Sequence, residues 1–166
     1  MTDDKGTLYP DAHGHAVPAD VAAALAQLGS ILDVEHRALR AIPDAQAALR
    51  PPGMTWSRKQ ILGHLIDSAS NNHQRFVRAQ LQREMTFPRY VQDRWVAAQG
   101  CDEREWADLV DLWRAYNRHL LHVASRIPED ALDNTCIVAE DEPSTLRHHV
   151  IDYVVHMRHH LRQILG

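Results

Sequence analysis

Apolar side chains recur along this chain at helical rather than alternating intervals. From Asp20 onward, Val21, Leu25, Leu28, Leu32 and Leu39 fall three, four and seven residues apart, which predicts one buried helical face through about Ile42. Residues 1–18 contain glycine and proline breakers without an apolar period and are expected to form a flexible leader ahead of a single 19–166 domain. Arg50-Pro51-Pro52-Gly53 interrupts the pattern. Ser57-Arg-Lys-Gln60 then fits a capping box, in which serine caps the backbone and glutamine returns the bond, and Ile61, Leu65, Phe76 and Leu81 extend a second helix to about Arg83. Residues 84–101 read as a loop with a short turn of helix at 90–95. Asp102 is the expected cap of a third helix whose buried side holds Trp106, Leu109, Leu112, Trp113, Tyr116, Leu120 and Val123, and which ends at Ile127-Pro128. Cys136–Ala139 suggests a small extended piece, and Ser144 is the expected cap of a fourth helix over Thr145–Leu165.

Four helices without a convincing alternating strand predict an all-α four-helix bundle. The connections 84–101 and 128–143 are long for a bundle, so crossover topology, loops capping one end, or both are expected.

Composition narrows the function. The chain of 166 residues has 18 basic and 22 acidic side chains, a formal charge of −4 that argues against nucleic-acid binding. No apolar run approaches the roughly 18 residues that cross a bilayer. The acidic, polar N-terminus does not read as a signal peptide, and two cysteines form no disulfide framework; both suit a reducing cytoplasm. Cys101 and Cys136 have no visible activating neighbour and are expected to be inert. Glycine-rich phosphate loops, C-x-x-C pairs and G-x-S-x-G turns are absent from the sequence.

The excess is in histidine, with 12 copies. Positions four apart on a helix lie about 40° apart on the same face, so His156 and His160 form a pair beside the ridge of Val150, Met157, Leu161 and Ile164. Tyr153 falls between them in angle. His148 and His159 are displaced toward solvent, and His149 is about 10 Å along the axis from His156, too far to share an ion with it. On the second helix His64 lies one turn from Ile61 and Ser68, at the border of the core face. His64, His156 and His160 therefore make a three-histidine set that holds a first-row metal and leaves coordination open, as catalytic sites do. The competing reading is a polar seam of hydrogen-bonded histidines. His119 and His122 form a rival pair, and His13 and His15 a weaker one in the leader.

Several segments together resemble the DinB-like (YfiT-like) superfamily. Trp56-Ser57 followed by Ile61-Leu62-Gly63-His64-Leu65-Ile66-Asp67-Ser68 is similar to its second-helix signature, and His73-Gln-Arg75-Phe76 contains its arginine-phenylalanine pair. Asp93-Arg94-Trp95 resembles its aspartate-x-tryptophan loop, and Thr145-Leu146, Tyr153, His156, His160 and Gln163-Ile164 its closing helix. The matches run in order over about residues 55–165. The resemblance implies a four-helix bundle, often dimeric, with zinc or nickel on His64, His156 and His160. Relatives include S-transferases and isomerases that use low-molecular-weight thiols, and others grouped as metal-dependent hydrolases. One departure is Ala69, which stands where many relatives have glutamate, so a carboxylate near the site is missing.

Three functions follow. In the first, the protein is a metal-dependent hydrolase or thiol transferase acting on a small molecule, because a divalent ion lowers the pKa of water and stabilises a thiolate. Asp67 would then orient a ligand or act as base, Tyr153 would donate to a metal ligand, and Arg75 and Asp93 would bind a charged substrate group. The bland readings of these four are ion pairs and a core tyrosine, with Trp95 as a loop anchor. In the second, the bundle is a metal-binding or sensor protein without turnover. In the third it is a structural module that holds no metal.

Overall fold

The computed structural model describes residues 17–166. The leader up to residue 16, with His13 and His15, lies outside the described residues. Helix α1 (Ala19–Arg40) begins behind Pro18 and buries Val21, Leu25, Leu28, Leu32 and Leu39, the face that the spacing marks. A short helix α2 (Asp44–Ala47), absent from the periodic pattern, follows. Its Asp44 carboxylate accepts both the buried Lys59 ammonium (2.8 Å) and the Trp106 backbone N–H (2.8 Å). Lys59 holds the Asp44 carboxyl below its ordinary pKa.

Helix α3 (Arg58–Arg78) has the expected capping box: Ser57 Oγ accepts from Gln60 N–H at 3.1 Å, and Gln60 Oε1 accepts from Ser57 N–H at 2.9 Å. It stops about one turn before the expected Arg83. Asn134, from a remote connection, donates to the Ala79 carbonyl and satisfies an acceptor that another turn of helix would have needed. Leu81 is consequently off the core face and 79% exposed.

The chain then enters strand β1 (Glu84–Phe87) and helix α4 (Gln92–Gln99), a longer helix than the turn expected at 90–95. Gly100, with φ of 58°, ends α4 in the left-handed region that glycine tolerates, and a 3-10 turn spans Cys101–Glu103. Helix α5 (Trp106–Ala124) starts later than expected. Asp102 does not cap it, because its carboxylate accepts the Ser57 hydroxyl; Asp44 serves the first N–H of α5 instead. Leu112 faces outward at 44% exposure, and Tyr116 and Val123 are half-buried. Strand β2 (Thr135–Val138) covers most of the extended piece expected at 136–139, and β3 (Ser144–Thr145) leads into α6 (Leu146–Leu165). The cap of α6 is Thr145 rather than Ser144: Thr145 Oγ1 accepts from His148 N–H at 3.1 Å, while Ser144 pairs in the strand.

The four long helices make a four-helix bundle around an apolar core. Each of α1 and α3 packs on both α5 and α6, so α1 lies diagonal to α3, and α5 to α6. The long connection from α5 to α6 therefore crosses the bundle, as its length suggests. It is tied to the α3–α5 connection by a three-stranded sheet in the order β1-β2-β3, with β1 parallel and β3 antiparallel to β2. None of the described helices is long and apolar enough to cross a membrane.

The 3-10 turn closes over α3 at Gly63, next to His64. A Cβ at position 63 would lie 2.5 Å from Cys101 Sγ. Gly63→Ala should therefore destabilise the fold by about 1–3 kcal/mol through overpacking, despite alanine's better helix propensity. In a Cys101→Ala background the loss should shrink, as read by a urea-denaturation double-mutant cycle.

Candidate metal centre

Packing of α3 on α6 brings together the three histidines singled out by spacing. One ring nitrogen from each of His64, His156 and His160 lies within 4.8 Å of those from the other two. His64 Nε2 and His156 Nε2 are 3.2 Å apart, and the His64 ring centroid is 4.7 Å from that of His160. Nitrogens bound tetrahedrally to zinc are separated by about 3.3 Å, so the nearest pair is already spaced for a shared ion.

Their environment keeps these rings neutral. Burial lowers the pKa of His64 to about 3, with His160 and His156 adding repulsion. Burial lowers His156 to about 4 and also depresses His160, though the hydrogen bond to Gln163 works the other way. Neutral imidazole is the form that ligates a metal.

Neighbouring side chains set which nitrogen faces inward. His160 Nδ1 donates to Gln163 Oε1 at 2.8 Å, leaving Nε2 as the lone pair, and Gln163 in turn donates to His159 at 3.0 Å. His156 Nδ1 lies 3.4 Å from Ser68 Oγ. Among the described residues His64 Nδ1 is buried without a hydrogen-bond partner, as is Asp67 Oδ2 one helical turn away. Three convergent, neutral, partly pre-oriented imidazoles fit a divalent transition metal.

The site opens onto a cavity of about 480 Å³ to which Ser68, Arg75, Tyr90, Asp93, Tyr153 and His156 all contribute. A smaller one of about 240 Å³ reaches His160 and Gln163. The larger of the two falls in the range of ordinary ligand pockets.

The other residues expected at the site divide. Asp67 is buried in no ion pair among the described residues; its Oδ1 accepts from Gln99, and burial raises its pKa. The Tyr153 hydroxyl, offered by the sequence as a donor to a ligand, donates instead to Asn117, and burial pushes its pKa up. Arg75 and Asp93 line the larger cavity, and neither has a salt-bridge partner among the described residues. Trp95 is 41% exposed and packs on Tyr90.

His119 and His122 do not assemble as a pair: His119 packs on the ring of His73 at 4.9 Å. His149 stands apart from the triad, bonded to Ser144 Oγ at 2.9 Å. Both cysteines are buried free thiols; burial raises the pKa of each, that of Cys136 to about 11, which keeps them protonated. Sequence reasoning passed over Ser68 as a partner of His156, and missed Tyr90 and Asn117. Ser68 lies four residues beyond His64 on one helix face, a usable signal, but Tyr90 sits in a connection with no periodicity to reveal its direction.

A four-helix bundle with a three-histidine seam between two helices is thus the class that fold and site define. Residues 32–164 match the model of the DinB superfamily, and the chain belongs to that superfamily. Among solved structures it is similar to YfiT from Bacillus subtilis, a probable metal-dependent hydrolase with an unusual four-helix bundle topology. The two share 17% identity and a TM-score of 0.79 over 93% of each chain, a likeness of fold. No curated protein matches.

The depressed histidines make stability depend on pH in a defined sense. Their folded pKa values lie below the unfolded value of about 6.5, so the unfolded state binds more protons as pH falls. Stability of metal-free protein should be flat above pH ~7 and decline on acidification through pH ~6.5 toward ~4. His64→Gln should flatten that decline in urea titrations across this window.

Proposed function

We propose that this protein is a metal-dependent enzyme acting on a small molecule, with a zinc or nickel ion held by His64, His156 and His160. The observation that carries the reading is the convergence of three neutral imidazoles on one another, with His156 lining a cavity large enough for a substrate. Such an ion supplies Lewis acidity, bringing the pKa of water to near 7. Hydrolysis is the favoured reaction, by likeness to YfiT, a probable metal-dependent hydrolase; the chain's own thiols, buried and protonated, supply no nucleophile of their own.

The chain's own side chains divide the work. Gln163 and Ser68 orient His160 and His156. Asp67, buried with its pKa raised by burial and its Oδ2 without a partner among the described residues, is placed one turn from His64 to exchange a proton within the site. Tyr153, its hydroxyl fixed by Asn117, forms part of the cavity wall. Tyr90 and Trp95 shield one side of the triad from water.

Protein purified without a histidine tag should contain about one transition-metal ion per chain by mass spectrometry, the occupancy of one three-ligand site. His64→Ala and His156→Ala should each lose it. Retention of metal in both variants, or failure of the native chain to load zinc or nickel, would remove the metalloenzyme reading. Against a panel of esters and amides, Asp67→Asn should keep the metal and lower kcat by about 10- to 100-fold. Turnover only when a low-molecular-weight thiol is added would reassign the reaction to S-transfer.

A further inference from the structure

Arg75 is a cation that the proposed chemistry at the histidines leaves without a role. It is half-buried on the same face of α3 as Ser68 and Asn72, at helical positions i, i+4 and i+7. Among the described residues its guanidinium makes one hydrogen bond, to Asn72 Oδ1 at 3.3 Å, and has no ion-pair partner. A guanidinium carries five N–H donors, and leaving most of them unmatched in a partly dry site is costly unless a ligand supplies acceptors. Arg89, the other arginine of the cavity, is already paired with Asp141. Ser68, at the opposite end of this face, touches His156, so the cavity runs from the histidine seam to Arg75 over about 10 Å of helix.

We propose that Arg75 is the substrate-binding end of this cavity and takes the carboxylate of a small organic acid whose reacting group lies toward His156. The assignment rests on the metalloenzyme reading for what happens at the histidine end, but not for binding at Arg75. The planar fork of arginine matches a carboxylate with two parallel hydrogen bonds. Asp93 and Asp152 also line the cavity. Their charges oppose any anion, but a dianion such as phosphate about twice as strongly as a singly charged acid, and they leave acceptors for N–H or O–H groups on the ligand.

The test compares hexanoate with hexanamide, which match in shape and differ in charge, by NMR titration of the untagged, as-purified full chain. Hexanoate should bind about tenfold more tightly, the gain expected of a charge-assisted pair. Arg75→Gln should abolish that preference, and Arg75→Lys, which keeps the charge but not the fork, should retain part of it. Melting temperature and metal content close to native would show that the variants fold. Equal affinity of the native chain for both probes overturns the proposal. So does a preference that survives in Arg75→Gln, since that is carboxylate binding at the histidines. Tighter binding of inorganic phosphate than of hexanoate overturns the carboxylate assignment. Protein that lacks metal yet keeps an Arg75-dependent preference overturns the proposed function while leaving the subsite standing; metal-loaded protein without the preference does the reverse.

Discussion

The α3–α6 contact is the constraint on which the rest of this structure depends. It buries His64 completely and sets it against two histidines that α6 presents one turn apart. Burial there is unfavourable for a charged ring, so the seam is stable with neutral imidazoles, and neutral imidazoles crowded at one point are a metal site in waiting. The packing that completes the core is thus also what prepares the ligands. Gln163, anchored by His159, and Ser68, close to Asn72, then orient two of the rings at little further cost, because they belong to the same two helices.

The connections do more than join helices. Because α5 and α6 are diagonal, the chain between them has to cross the bundle, and β2 in that crossing pairs with β1 from the other long connection. The sheet thereby fixes the segment that bears Arg89 and Tyr90, while α4 supplies Asp93 to the cavity beside His156 and Trp95 against Tyr90. Gly63 permits the 3-10 turn to settle on α3 one residue from His64. A cavity with a histidine end and an arginine end results from laying two irregular connections over a regular bundle.

Legibility in the sequence follows the same division. Helix α1 and the capping box of α3 depend on neighbours within a few residues, and both stand where the spacing puts them. The pairing of His156 with His160 is likewise a local consequence of helical pitch, and His64 joined them through its place at the edge of an apolar face. Expectations failed where a distant group intervened. Asn134 takes the end of α3, Asp44 takes the N–H expected of Asp102, and strand pairing takes Ser144 away from the α6 cap.

Amino-acid order alone therefore specifies the four long helices, most of their buried faces and the three histidines, because each is written in intervals of three and four residues. The meeting of those histidines, the hydrogen bond that occupies Tyr153, and the lack of an ion-pair partner for Arg75 and Asp67 among the described residues were settled by packing. Partners of a buried polar group come from whichever element the bundle brings alongside, and no interval along the chain encodes which one that is.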